Sequence, residues 1–184
     1  MTDLTGRTVA FLTSAQGIEE AELTTPWQAV QQAGGTPILV SAESGTVSAV
    51  HHDLEPAGTY PVDRTVDQVA VPELAALVIP GGTVNADTLR THAGSVALVK
   101  DVLAAGIPVA AICHGPWVLI EAGVVDGVTL TSYPSLATDL RNAGATWVDQ
   151  ELVRSEVGTT SVLTSRNPDD LPAFSAAVVE AAAG

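Results

Sequence analysis

Short apolar runs alternate with amphipathic segments along almost the whole chain, and this alternation limits the folds it can adopt. The runs are "TVAFLT" at 8–13, "TPILVS" at 36–41, "AALVIPGG" at 75–82, "IPVAAIC" at 107–113 and "GVTLTS" at 127–132. Between them lie stretches of helical periodicity. "EEAELTTPWQAVQQAGG" places Leu23, Trp27 and Val30 on one face, with Gly34 as a stop and Pro26 as a kink or a tolerated lost hydrogen bond. "SVALVKDVLAAG" turns Val96, Val99 and Leu103 inward. "GPWVLIEAG" carries Pro116 in its first turn, "SLATDLRNAG" closes on Gly144, and "PDDLPAFSAAVVEAAAG" forms a terminal helix. Strands alternating with helices predict an α/β fold: a mainly parallel sheet, covered on both faces by right-handed crossovers. Residues 45–70 are less regular and predict short antiparallel strands. Residues 146–165 predict strands with a turn at Gly158. Without linker, repeat or low-complexity block, residues 1–184 form one expected domain.

Bulk properties exclude several functions. A net charge of −14 repels phosphate backbones, so no nucleic acid is expected as a partner. No apolar run reaches membrane-spanning length and the start lacks a signal-peptide pattern, so the expectation is a cytoplasmic protein with no membrane contact. The single cysteine rules out an intrachain disulfide and any CxxC metal site. His51, His52 and His92 lack strong metal-ligand spacing, and neither a P-loop nor a GxGxxG turn follows a strand. No metal and no cofactor are expected.

In a sheet of this kind ligands bind beyond the C-terminal strand ends. Three turns fall there: the one before Glu19, "PGG" at 80–82, and "CHG" at 113–115. The last belongs to "AAICHGPW" at 110–117, where Cys113 ends a strand and opens a helix. A sharp strand-to-helix turn exposes a nucleophile above the sheet, and the helix N-terminus favours its thiolate. Gly115 makes room for the turn, and His114 supplies a base beside the sulfur. The amides of Gly81 and Gly82, with that of His114, can form an oxyanion site. Among Glu19, Glu20 and Glu22, one carboxyl turned inward beside Cys113 would be protonated and donate to sulfur. Helix-dipole capping accounts equally for acids at this position.

These motifs together resemble those of the ThiJ/PfpI family of intracellular proteases and general stress proteins, a branch of the class I glutamine amidotransferase-like superfamily. "IEEAEL" at 18–23 is similar to its first-helix glutamate motif, and "LVIPGGTVNADTLR" at 77–90 to its glycine turn and interface segment. "AAICHGPW" is similar to its elbow; "LTSYPSLATDLRNAGATWVD" at 130–149 and "LTSRNPDDLPAF" at 163–174 are similar to its C-terminal signatures. The resemblance implies a flavodoxin-like sandwich. It implies Cys113 as nucleophile, His114 as its partner and Glu19 as the buried glutamate touching the cysteine. It also implies that Asp87 orients His114 from a neighbouring subunit, and hence a homo-oligomer, at least a dimer. Ala86 stands where relatives carry a proline before that acid, and Asp87 before "TLR" also fits a helix N-cap. Tyr133 either borders the pocket or packs under the last helices.

The expected chemistry is the conversion of a small aldehyde, methylglyoxal, to lactate. A thiolate adds to the aldehyde, and one acid/base with an oxyanion site completes the reaction. Members of the family are also described as deglycases, as peptidases and as redox-sensing chaperones. A peptide substrate and a non-enzymatic thiol sensor are the alternatives.

Overall fold

A computed structural model describes residues 2–184. In chain order the elements are β1 (Thr8–Thr13), β2 (Gln16–Glu19), α1 (Glu20–Gln32), β3 (Thr36–Ser41), β4 (Thr46–His51), β5 (Glu55–Pro61) and β6 (Arg64–Thr65). There follow β7 (Leu74–Ile79), α2 (Thr83–Thr91), α3 (Ala93–Ala104), β8 (Val109–Ile112), α4 (Pro116–Glu121) and β9 (Thr129–Leu130). The chain ends with α5 (Ala137–Asn142), β10 (Thr146–Trp147), β11 (Val153–Val157), β12 (Thr160–Ser165) and α6 (Leu171–Ala183).

Seven strands form the central sheet in the order β11-β12-β8-β7-β1-β3-β6. All neighbours are parallel except the β11–β12 hairpin. Side chains alternate across the pleat and create two apolar layers. Val9 and Phe11 of β1, with Val78, Ala110 and Leu163, pack under α1 and α6 through Leu23, Val30, Phe174 and Val178. Ala10 and Leu12, with Leu77, Ile79, Val109 and Ala111, pack under α2, α3 and α4 through Leu89, Val99, Val102 and Leu119. The mainly parallel α/β sandwich expected from the alternation is the fold observed.

Two details differ from the sequence-based expectation. Of "GVTLTS", only Thr129–Leu130 is extended, and it pairs with β10 outside the central sheet. Its place is closed, because β12 already has β8 on one edge and β11 on the other. Asp87 caps no helix: α2 starts at Thr83 behind Gly82, which leaves Asp87 exposed in the helix interior. No helix among the described residues is long and apolar enough to cross a membrane.

The irregular segment forms a β4–β5 antiparallel hairpin with β2 paired along β4. This small sheet stands beside the C-terminal ends of β1 and β7, where Glu19 N–H reaches Gly81 O at 3.4 Å. Glu20 ties the hairpin to α1: one carboxylate oxygen accepts from Gly58 N and Tyr60 Oη, each at 2.7 Å, and the other lies 3.3 Å from His51 Nε2. The Tyr60 hydroxyl and the Gly58 amide hold the Glu20 carboxyl below the ordinary glutamate range. Its stabilising contribution is therefore present above about 4.5 and is lost as pH falls through the depressed folded value. Glu20→Ala is expected to lower the urea midpoint at pH 7, with the difference from wild type narrowing below pH 4. Parallel unfolding curves at the two pH values check this.

Candidate active site

The backbone reverses at Cys113. The residue sits at φ +60°, a left-handed conformation that costs a non-glycine residue about 1–2 kcal/mol. Its N–H donates to Ser165 O at 3.1 Å and its carbonyl accepts from Tyr133 N at 2.9 Å, so β12 and the Tyr133 loop hold the strained residue from both sides. Gly115 N–H closes the turn on Ile112 O at 2.9 Å. A Cβ on Gly115 would stand 2.6 Å from Ile79 O, so only glycine lets the elbow pack against β7. Cys113 is 6% exposed, at the floor of the edge formed by β7, β8 and the start of α2.

The glycine turn after β7 lies against the sulfur. A Cβ on Gly81 would come within 2.6 Å of the Cys113 Cβ. Asn85, fully buried, holds this turn from below. Its amide donates to Pro80 O and Gly81 O at 3.0 Å each, and its Oδ1 accepts from Ser14 N at 2.7 Å. The segments after β1 and β7 are thus fastened by one side chain. The amides of Gly82 and His114 face the sulfur. Those of Gly81 and Gly115 are already engaged, by Glu22 and by Ile112 O, which corrects the expectation that the Gly81 amide is a free donor of the oxyanion site.

Glu22, not Glu19, faces the cysteine. Helix α1 begins one residue after Glu19, and Glu22 shares its inward face with Leu23, Pro26 and Val30. Glu19 closes β2, and its carboxylate instead accepts from Asp53 N at 3.2 Å. Glu22 is fully buried; Oε2 accepts from Gly81 N at 2.7 Å, while Oε1 has no hydrogen-bond partner in the protein. Burial raises its carboxyl to about 8 against the pull of the Gly81 amide, so it holds a proton at neutral pH. Burial pushes the Cys113 thiol up as well, a charged Glu22 adds to that, and the Gly82 and His114 amides pull it down. Glu22 and Cys113 compete for a proton; with it on Glu22, the carboxyl becomes a donor to sulfur instead of a neighbouring charge.

His114 is 5% exposed, with Nδ1 at 3.2 Å from Cys113 Sγ. Nε2 lies 3.3 Å from Thr83 Oγ1 and 3.4 Å from Ser135 Oγ. Tyr133 stacks on the imidazole at 4.9 Å and 24°, and Trp117 approaches its other surroundings at 5.2 Å. Tyr133 is 41% exposed, which puts it at the rim of the site and not beneath the last helices. Burial lowers the His114 pKa, and the charge of Asp53 opposes this. A neutral imidazole against a thiol can take its proton. The Asp87 side chain makes no hydrogen bond or ion pair to this histidine or to any other described residue. Among the described residues no group of three or more His, Cys, Asp or Glu side chains is arranged to hold a metal ion.

The arrangement therefore offers a strained thiol, a base, a neutral carboxyl and two amide donors. Asp53, Thr83, Asn85 and Ser135 were not anticipated from the sequence. For Glu22 a signal existed, since it shares a helix face with Leu23 and Val30. For Asp53 none did, because a distant hairpin brings it in.

The proton on buried Glu22 has a measurable consequence. The folded state retains it to about pH 8, whereas an unfolded glutamate releases it near 4.5. The stability it contributes is full below the unfolded value and falls as pH rises toward the folded one. In a Cys113→Ser background, which removes thiol titration, Glu22→Gln should become progressively more stable relative to its parent between pH 4.5 and 8. Urea midpoints of the pair across this range test the assignment, and a constant difference would contradict a neutral Glu22.

Comparison with known proteins places these features in context. The model of the DJ-1/PfpI family matches residues 7–181. Protein/nucleic acid deglycase 2 of Escherichia coli is 38% identical over 157 residues, covering 85% of this chain and 87% of that protein. General stress protein 18 of Bacillus subtilis is 40% identical over 157 residues, with the same coverage of 85% and 87%. The solved structure of Drosophila melanogaster DJ-1beta superposes with a TM-score of 0.85 at 26% identity, covering 98% of this chain and 92% of that one. With the family model spanning nearly its full length, the chain belongs to the DJ-1/PfpI family.

Proposed function

We propose that this protein is a cysteine-dependent enzyme acting on small reactive carbonyls, and that it converts methylglyoxal to lactate. One observation carries the reading: a single sulfur lies between a base, His114 Nδ1 at 3.2 Å, and a buried neutral carboxyl, Glu22. An aldehyde needs such a pair. His114 takes the thiol proton and the thiolate adds to the aldehyde carbon, forming a C–S bond. The Gly82 and His114 amides hold the alkoxide until it is protonated to a hemithioacetal. A proton then leaves this carbon and returns to the adjacent one through an enediol, giving a lactoyl thioester with no net oxidation. Glu22 and His114 serve this transfer. Water cleaves the thioester, releasing lactate and restoring the thiol. Relatives named deglycases include one from Escherichia coli and one from Pyrococcus horikoshii, and glycation is itself a carbonyl adduct, which supports this substrate class. Peptide hydrolysis has less support. The imidazole must then protonate an amine leaving group, and among the described residues no carboxylate touches His114 directly.

Purified protein with methylglyoxal, in buffer free of amines and thiols, is expected to form lactate, and Cys113→Ala to form none. No lactate above the Cys113→Ala level from folded protein would reject the reading and favour peptide hydrolysis or thiol oxidation. Glu22→Gln is expected to slow turnover about 100-fold or more, in line with the usual contribution of a positioned acid/base, whereas Glu19→Gln slows it far less. Equal losses in the two variants would remove Glu22 from its special role.

A further inference from the structure

From the geometry we infer that Asp53, acting through the Thr83 hydroxyl, is an intrachain positioning residue that fixes the tautomer of His114. The inference rests on the reading of Cys113 as a nucleophile served by His114. Asp53 lies at the tip of the β4–β5 hairpin, at φ +63° beside His52 at φ +53°. Its side chain grips the first residue of α2 at two points. Oδ1 accepts from Thr83 N at 2.6 Å and Oδ2 accepts from Thr83 Oγ1 at 3.0 Å. The same hydroxyl oxygen lies 3.3 Å from His114 Nε2.

Donor arithmetic sets the direction of this chain of contacts. A carboxylate only accepts, so Thr83 must spend its one O–H on Asp53. The hydroxyl oxygen is then left with lone pairs for His114, so Nε2 must carry the proton. Nδ1, 3.2 Å from Cys113 Sγ, is bare and oriented to accept from the thiol. Ser135 Oγ, 3.4 Å from Nε2, is compatible as a second acceptor but is not held by a carboxylate. The titratable groups facing the imidazole are Cys113, Tyr133 stacked on the ring and, through Thr83, Asp53; Glu22 acts on the sulfur. When His114 takes the thiol proton, the Asp53 charge stabilises the resulting imidazolium. Within one chain, Asp53 thus supplies the function that the resemblance assigns to Asp87 of a neighbouring subunit.

The single cysteine makes the test direct, because alkylation by iodoacetamide reports Cys113 alone and needs no substrate. The alkylation rate is measured from pH 5 to 10 for wild type, Thr83→Val, Thr83→Ser and Asp53→Asn. Thr83→Val and Asp53→Asn are expected to shift the profile to higher pH and to be alkylated about tenfold more slowly at neutral pH, the scale of one lost charge partner. Thr83→Ser, which keeps the hydroxyl, is expected to follow wild type. A wild-type profile in either Thr83→Val or Asp53→Asn overturns the relay. Equal slowing in Thr83→Val and Thr83→Ser assigns the effect to packing and overturns it too. A wild-type thiol inert below pH 10 would reject the nucleophile reading itself. Absence of lactate with an intact shift in Thr83→Val would reject only the substrate.

Discussion

The site depends on one backbone reversal, the left-handed turn at Cys113. An α/β sheet ordinarily passes from strand to helix through a relaxed loop of several residues. Here β8 ends at Ile112 and α4 begins at Pro116, so the chain turns within three residues and the first of them is the cysteine. The strain persists because its surroundings over-determine it. The Ser165 carbonyl and the Tyr133 amide hold Cys113 from both sides, and Gly115 lets Ile79 O approach where a Cβ would not fit. The consequence is positional. The sulfur stands above the sheet edge, between the glycine turn after β7 and the first turn of α1. From there two backbone amides, a carboxyl and an imidazole all reach it.

Electrostatics in this corner pose a problem that the fold resolves. The protein is strongly acidic, and Glu22 beside the one thiol has Glu19 and Asp53 close to it in turn. Three carboxylates there would suppress a thiolate. Each is handled differently. Glu22 is buried and keeps a proton, so it contributes a donor instead of a charge. Glu19 accepts from the Asp53 amide. Asp53 is spent on the amide and hydroxyl of Thr83, with the hydroxyl between it and His114. The neutral state of Glu22, set by burial, and the hold of Asp53 on Thr83 are thus parts of one arrangement.

Particular residues show how far the sequence could be read. The elbow was legible because its signature is local: an apolar run, then Cys-His-Gly-Pro at the opening of a helix. The parallel sandwich was legible because periodicity switches between strand and helix many times. The motif supplies several acids within one turn, so Glu19 and Glu22 are not told apart by type or spacing. Which of them faces inward depends on where β2 gives way to α1, and this boundary is set by β2 pairing with β4. The engagement of the Gly81 amide by Glu22 depends on the same boundary. "GVTLTS" has strand composition yet lies mostly outside any strand, since the β11–β12 hairpin closes the edge it would have joined.

By itself the sequence determined the alternating α/β architecture, the single thiol at a strand-to-helix junction and the histidine attached to it. These are local patterns of hydrophobicity and residue type, which neighbouring residues suffice to specify. Only the tertiary structure decided which carboxyl meets the sulfur, which glycine amides remain free to donate, and that a hairpin acid reaches His114 through Thr83. Those facts depend on contacts between segments about 30 to 60 residues apart. Such contacts arise from strand pairing and helix packing, so no spacing along the chain encodes them.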